Sequence, residues 1–217
     1  MIKYVLLDLD GTLTDSAPGI MNAIRYTLSH YNLPDMTDSE LRKFIGPPLM
    51  VSFSKYLGFG EQMCAEAVSV YRSYFSTKGL FENSVYDGIR DALEKLKSEG
   101  LVLAVSTSKP EVYARQILEH FDLAKYFAVI RGIPLGEEGM SKAQVIDNTL
   151  TALGICDKSA VLMVGDRDYD VMGAMANGLS CMGVLYGYGG RNELEAAGAV
   201  CIAETVEDIA KLICEMK

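Results

Sequence analysis

Five short apolar runs, each ending in polar residues, constrain the fold of this chain most strongly. They lie at residues 4–7, 101–105, 127–130, 160–164 and 180–185, and segments of helical period lie between most of them. Runs of this length and composition are typical of buried parallel strands. Strands that alternate with helices predict an α/β fold, a doubly wound three-layer parallel sheet with right-handed crossovers. We expect the first strand at the centre, with the next two on one side and the last two on the other.

The stretch between the first and second strands breaks this alternation. Residues 16–86 contain helical patterns but no convincing strand. About seventy residues is far longer than an ordinary crossover. A plain helical linker would not need the break at Gly46-Pro47-Pro48 in its middle. We therefore predict a helical cap at residues 16–86, inserted into an α/β core formed by residues 1–15 and 87–217.

Charge and cysteine usage restrict the partners and the compartment. The chain has 20 basic and 29 acidic residues, a net charge of −9 and no Lys/Arg cluster, which disfavours nucleic acid and anionic membranes as partners. Five scattered cysteines without a Cys-x-x-Cys pair favour reduced thiols and disfavour zinc. No secretion signal opens the chain, and no run approaches the ~20 apolar residues of a membrane helix. We expect a cytoplasmic monomer or weak homodimer whose fold begins at residue 1.

Two carboxylates stand where the first strand runs into a glycine. Asp8 and Asp10 precede Gly11 and Thr12, and this edge of an open α/β sheet is where ligands bind. A turn or helix-cap cluster is the alternative for an isolated Asp-x-Asp-Gly. The eight residues Asp8–Asp15, however, match Asp-x-Asp-Gly-Thr-x-x-Asp, the first motif of the haloacid dehalogenase-like (HAD) superfamily. The chain resembles the helical-cap, phosphoglycolate phosphatase-like branch of that superfamily.

The resemblance implies a Mg²⁺-dependent phosphatase that hydrolyses a small phosphorylated metabolite, such as phosphoglycolate, a nucleotide or pyrophosphate. It makes Asp8 the nucleophile that forms an aspartyl-phosphate. It makes Asp10 the acid that protonates the leaving oxygen and then activates water, and it places Gly11 and Thr12 at the substrate. A neighbouring carboxylate raises a carboxyl pKa, so one of the two aspartates can hold a proton near neutrality.

Two further family elements follow the second strand and precede the fourth. In the run 106–110, Ser-Thr-Ser-Lys-Pro, Thr107 matches the Thr or Ser of the second motif, and Ser108 would offer a backbone amide to substrate. Hydroxyl capping of the next helix is the alternative. Lys142 is the candidate for the family lysine, although many relatives have Lys-Pro where this chain has Lys-Ala. Lys158 is the weaker candidate.

The fourth element follows the fourth strand. The run 165–170, Gly-Asp-Arg-Asp-Tyr-Asp, matches the family pattern Gly-Asp-x-x-x-Asp. By resemblance Asp166 binds the metal together with the Asp8 carboxylate and the Asp10 carbonyl, whereas Asp170 holds a metal-bound water or the lysine. Several carboxylates and a phosphate dianion face one lysine, and like charges ~4 Å apart repel by roughly 4 kcal/mol at an effective dielectric near 20. A divalent ion is therefore required, and oxygen ligands favour Mg²⁺.

Substrate choice is expected to lie in the cap. The segment 45–49, Ile-Gly-Pro-Pro-Leu, resembles the cap substrate loop of the same branch, so Gly46 is a candidate substrate contact. Arg42 could meet a second anionic group, although a helix-breaking hinge with solvated basic flanks fits equally well. The loop Tyr186–Gly190 is interpreted as a flexible turn after the last strand.

Three alternative functions remain open at this point. A β-phosphoglucomutase-like enzyme also retains an acid at the place of Asp10. A phospho-accepting receiver combines similar residues, but its phosphorylated aspartate follows the third strand. A catalytically silent binding protein is the third alternative.

Overall fold

The computed structural model of the protein describes residues 1–137 and 139–216. The strands are β1 (Tyr4–Leu7), β2 (Thr14–Asp15), β3 (Ser84–Val85), β4 (Val102–Pro110), β5 (Val129–Ile133), β6 (Val161–Gly165), β7 (Ser180–Val184) and β8 (Cys201–Ala203). The α-helices are α1 (Ala17–His30), α2 (Asp38–Leu41), α3 (Leu49–Leu57), α4 (Glu61–Tyr74), α5 (Ile89–Ser98), α6 (Glu111–His120), α7 (Lys142–Ala152), α8 (Asp168–Ala176), α9 (Arg191–Ala197) and α10 (Val206–Glu215). Single 3₁₀ turns span Arg42–Phe44, Ala124–Tyr126 and Lys158–Ala160, and a π-helical turn spans Phe75–Gly79.

The chain forms two compact units. One contains residues 1–14 and 85–217, and the other contains residues 15–84. The predicted limits of the insertion, 16 and 86, differ from these bounds by one and two residues. The second unit contains helices α1 to α4. Both points at which the chain passes from one unit to the other fall within the small two-stranded sheet of β2 and β3.

The larger unit is built on a six-stranded sheet with the order β5-β4-β1-β6-β7-β8. Every neighbouring pair in it is parallel. The predicted α/β class and the central place of the first strand are confirmed. In the register of the sheet, Leu7 lies opposite Val105 on one side and Val164 on the other. The carboxyl ends of β1, β4 and β6 therefore meet at one edge, where the polar segments begin.

Burial explains why β1 occupies the middle of the sheet. Val5, Leu6 and Leu7 are at most 1% exposed, as expected for a strand that is covered by helices on both faces. No polar residue interrupts this run, so it fits only a position with neighbours on every side. Among the described residues, no helix combines the length and the apolar character that a membrane crossing requires.

Two elements near the end of the chain were not predicted from the sequence. The strand β8 adds a sixth member at the edge of the sheet, and α9 precedes it. The predicted number of strands in this sheet, five, is therefore wrong by one, and the two-residue strand β3 lies within residues 16–86, where no strand was predicted. Only Ala203 of this three-residue strand is fully buried, and three residues are too few to show either alternation or a continuous apolar run.

Candidate active site

A tight loop places Asp8 and Asp10 at the carboxyl edge of the sheet. The Asp8 N–H donates to the Val164 carbonyl at 2.9 Å, which ties the end of β1 to β6. The Gly11 N–H then donates to the Thr14 carbonyl at 2.8 Å, so the chain turns back at once. Gly11 has a φ of +82°, and a Cβ at this position would collide with the Asp166 carboxylate. Glycine is therefore required for the loop to approach Asp166.

Lys142 joins two of the aspartates. Ser141 caps α7 through a capping box, which fixes Lys142 at the first position of the helix. The Lys142 side chain is 4% exposed, and its Nζ lies 2.8 Å from Asp8 Oδ1 and 2.6 Å from Asp170 Oδ1. The contact with Asp8 is an ion pair without good hydrogen-bond geometry. Lys158, the weaker candidate, is exposed in the turn before β6, so the geometry favours Lys142.

The three buried carboxylates form a set that suits a metal ion. Single carboxylate oxygens of Asp8, Asp166 and Asp170 lie within 4.8 Å of one another. Asp166 Oδ2 accepts the Tyr188 N–H at 2.7 Å, whereas Asp166 Oδ1 is buried and accepts no hydrogen bond from the described residues. A buried carboxylate oxygen without a donor is costly, and a divalent cation would satisfy it.

Asp170 differs from Asp8 and Asp166 in the partners of its carboxylate oxygens. Its Oδ1 meets Lys142, and its Oδ2 accepts the Arg167 N–H at 3.1 Å. Both oxygens already have partners, so Asp170 fits the role of holding the lysine better than that of a direct ligand. The oxygens that remain as possible metal ligands are the carboxylate oxygens of Asp8 and Asp166, together with the backbone carbonyl of Asp10.

Burial dominates the electrostatics of this set. It raises the pKa of Asp166 well above the usual range, and the Asp170 and Asp8 carboxylates add to the effect. Burial also raises the pKa of Asp170 to about 6, although Lys142 opposes the rise. Burial alone would lower the pKa of Lys142, but the carboxylates of Asp170 and Asp8 outweigh it and raise that pKa. The carboxylates are thus poorly stabilised when ionised, and added positive charge would stabilise them.

A second lysine, which the family motifs do not assign to the site, contacts Asp10. Lys109 Nζ lies 2.8 Å from Asp10 Oδ1 and 2.7 Å from Asp10 Oδ2, and the lysine side chain is 4% exposed. Lys109 stands inside the quoted second motif, but the direction of its side chain depends on an irregular strand end that the sequence does not reveal. With Lys142 it brings two ammonium groups to four carboxylates, so a divalent cation would balance the charge of the site.

The hydroxyl segment of the second motif lies at the end of β4. Thr107 is 1% exposed, and its Oγ1 accepts the Lys109 N–H at 3.2 Å. Ser108 is half-buried beside it. Thr12, on the loop after β1, is fully buried, and its hydroxyl has no hydrogen-bond partner among the described residues.

The loop Tyr186–Gly190, which was interpreted as a flexible turn, packs directly on the site. The Tyr186 hydroxyl donates to the Thr12 carbonyl at 2.8 Å, and the Tyr188 N–H holds Asp166. A Cβ at Gly189 would collide with the Asp166 carbonyl. The sequence could not predict that this loop packs on the site, because contacts made by backbone N–H groups do not depend on residue type.

The two predicted substrate residues of the insertion lie in the second unit. Arg42 is exposed in the 3₁₀ turn Arg42–Phe44. Gly46 follows with a φ of +102°, which turns the chain before α3. Their contact with a substrate stays a prediction.

The fold and the site define a hydrolase of the haloacid dehalogenase kind. The family model described as haloacid dehalogenase-like hydrolase matches residues 5–184. The chain belongs to this family, and the expected superfamily and enzyme class are confirmed.

Curated relatives carry several names within this family. A 5′-nucleotidase of Pseudomonas aeruginosa is 42% identical over 192 residues, 88% of this chain and 86% of the relative. The tyrosine-protein kinase PtkA of Mycobacterium tuberculosis is 36% identical over 97% of this chain and 72% of its own length. A phosphoglycolate phosphatase of Vibrio parahaemolyticus is 25% identical over 98% of this chain and 96% of the relative, which agrees with the expected branch.

A solved structure shows the same fold over the whole chain. The crystal structure of a predicted phosphatase from Clostridium acetobutylicum is 46% identical, with a TM-score of 0.95 and coverage of 99% of both chains.

Proposed function

We propose that the protein is a Mg²⁺-dependent phosphomonoester hydrolase that acts on a small phosphorylated metabolite through an aspartyl-phosphate at Asp8. The observation that carries the proposal is the buried set of Asp8, Asp166 and Asp170, with oxygens within 4.8 Å of one another. Lys142 bridges two members of this set, and one oxygen of Asp166 lacks a hydrogen-bond donor. Such a set suits a cation and a phosphoryl group better than a purely structural role.

The proposed reaction has two steps. In the first, a carboxylate oxygen of Asp8 attacks phosphorus and the P–O bond to the alcohol breaks, while Asp10 gives its proton to the leaving oxygen. In the second, water attacks the phosphorus of the aspartyl-phosphate. Asp10 takes a proton from that water, the bond from phosphorus to Asp8 breaks, and phosphate leaves. Lys142 holds Asp8 in place and adds positive charge beside the transferred group.

The remaining site residues would bind the phosphate and the cation. We propose Thr107 and Ser108 with Gly11 and Thr12 as phosphate contacts, because hydroxyl and backbone N–H groups suit phosphate oxygens. The Asp8 and Asp166 carboxylates and the Asp10 carbonyl would hold the ion. Mg²⁺, when bound, neutralises the charge of the phosphoryl oxygens.

The substrate class is proposed from similarity together with the second unit. The 42% identity to a protein named 5′-nucleotidase makes a nucleoside 5′-monophosphate the first substrate to test, with phosphoglycolate next. We propose residues 15–84 as the cap, and Arg42 and Gly46 as its substrate contacts. The five cysteines are free in the structure, which supports the proposed cytoplasmic location.

A substrate panel with Mg²⁺ tests this function. The panel contains nucleoside 5′-monophosphates, phosphoglycolate, pyrophosphate and sugar phosphates, and kcat/KM is measured from phosphate release. We expect one class to exceed the others, and Asp8→Asn to abolish turnover while the circular dichroism spectrum stays that of the wild type. Substantial turnover by folded Asp8→Asn would contradict the assignment of the nucleophile, and no hydrolysis of any ester would contradict the function.

A second candidate is phosphoryl transfer to an acceptor other than water. The similarity to a protein named tyrosine-protein kinase PtkA favours it, since both reactions can begin with a phosphorylated aspartate. Phosphate release from a simple monoester without any acceptor would support the hydrolase. Release of the alcohol that begins only when an acceptor is added, with the phosphoryl group recovered on the acceptor and not as free phosphate, would support the transferase.

A further inference from the structure

A bulge in β4 turns Lys109 into the site. On this strand Ser106 pairs with Arg131, but the next paired residue is Pro110, opposite Ile133. Four steps along β4 therefore match two steps along β5, and the residues between them form an irregular segment. Such bulges occur beside active sites, where they redirect a side chain. The neighbouring strand fits closely, because a Cβ at Gly132 would collide with the Lys109 carbonyl.

The redirected side chain contacts the proposed acid through both of its oxygens. Lys109 Nζ lies 2.8 Å from Asp10 Oδ1 and 2.7 Å from Asp10 Oδ2. The lysine side chain is 4% exposed and that of Asp10 is 18% exposed. Contact with both oxygens fixes the rotation of the carboxyl group as well as its position. Exposed ion pairs contribute little, but this pair is shielded from solvent.

The two lysines of the site therefore serve different aspartates. Lys142 contacts Asp8 and Asp170, whereas Lys109 contacts Asp10. The nucleophile and the proposed acid each have an ammonium group of their own, although only two residues separate them along the chain. Removing Lys109 should therefore act through Asp10, whereas removing Lys142 should act through Asp8 and Asp170.

We propose that Lys109 is the positioning residue of Asp10, and this inference rests on the proposed function. As the P–O bond breaks, the proton of Asp10 passes to the ester oxygen, and the carboxylate left behind lies against the Lys109 ammonium. In the second step the same carboxylate takes a proton from water. Lys109 keeps its own protons and acts through Asp10. Its contribution is greatest where the leaving oxygen needs a proton most.

Leaving-group dependence tests this role. p-Nitrophenolate leaves without protonation, whereas the alkoxide of adenosine 5′-monophosphate, or of the best alkyl monoester in the panel, requires it. We expect Lys109→Met to lower kcat/KM, which reports formation of the aspartyl-phosphate, by ~10²-fold on the alkyl ester, within the range of general acid–base catalysis. The loss of kcat/KM on p-nitrophenyl phosphate should be at least about tenfold smaller, because its leaving group needs no proton in that step. Lys109→Gln replaces it if the methionine variant does not fold, and Lys95→Met removes an exposed lysine as the control.

A double-mutant cycle separates positioning from other roles. Asp10→Asn already lacks the acid, so adding Lys109→Met to it should lower kcat/KM by less than about twofold. Equal losses on the two esters or additive losses in the double mutant would each overturn the inference. If the wild-type protein hydrolyses neither ester, the proposed function is wrong and the inference is wrong with it. If the wild type hydrolyses both and the cycle is additive, only the inference is wrong.

Discussion

A methyl group added at Gly187 is expected to weaken Mg²⁺ binding. Gly187 lies in the loop that packs on Asp166. An added Cβ would lie 2.7 Å from Asp166 Oδ2, and closer still to Asp166 Cβ and the Gly11 carbonyl. An ordinary carbon–oxygen contact is about 3.3 Å, so the carboxylate or the loop must move by at least about 0.6 Å. No unusual backbone conformation is involved, because Gly187 is not among the glycines with positive φ.

The size of the effect follows from the demands of the ion. Mg²⁺ accepts only a narrow range of ligand distances and angles, so a displaced Asp166 cannot be accommodated without cost. Changes to residues that orient metal ligands weaken affinity by ~10–100-fold, which corresponds to about 1.4–2.8 kcal/mol. The added methyl group should also lower the free energy of unfolding of the metal-free protein by about 1–3 kcal/mol.

Gly190→Ala provides a matched control from the same loop. No heavy atom lies within 4 Å of a Cβ at Gly190, and its φ of −103° suits any residue. Isothermal titration with Mg²⁺ gives the dissociation constant of each variant, and circular dichroism checks the fold. If folded Gly187→Ala binds Mg²⁺ within twofold of Gly190→Ala, the loop does not position the metal ligand.

Two further predictions concern the buried charges. Lys142→Met leaves Asp8 and Asp170 without their shared cation, so the free energy of unfolding in EDTA should fall by about 3–5 kcal/mol. The control Lys158→Met should change it by less than about 0.5 kcal/mol. Urea unfolding measures both variants, and equal losses would contradict the assignment of Lys142 to the site. The folded-state pKa of Asp170, about 6, exceeds its ordinary value of 3.8, so the folded protein binds more protons between these pH values. The free energy of unfolding in EDTA should therefore fall as pH rises from about 4 to about 6. Asp170→Asn should show a smaller fall over this pH range, and an unchanged fall in that variant would show that Asp170 is not its cause.

The sheet was predictable from the sequence because its strands are buried on both faces. A strand such as β1 must be apolar throughout, and this property is visible in a single sequence. The edge strand β8 was missed because its position requires neither length nor a continuous apolar run. The end of β4 was also predicted too short, since the residues that continue it, Ser106 to Pro110, have the composition of a loop.

Candidate site residues could be predicted from the sequence where the site depends on a specific side chain, as at Asp8, Asp166 and Lys142. Contacts made by the backbone, such as the Tyr188 N–H, have no such signature, and any residue could supply them. Lys109 shows a third case. Its residue type was visible within a quoted motif, but its direction depends on a two-residue excess in strand pairing, which sequence patterns do not encode.

The central place of β1 has a consequence for folding during synthesis. This strand is made well before its partners β4 and β6, which begin only at Val102 and Val161. At ~5–20 residues per second, β1 waits roughly 5–20 s for its first neighbour and longer for its second. Both edges of an apolar strand remain open in that interval, which is the state most prone to aggregation. The same strand that anchors the finished sheet is therefore the segment of the nascent chain with the greatest need of protection.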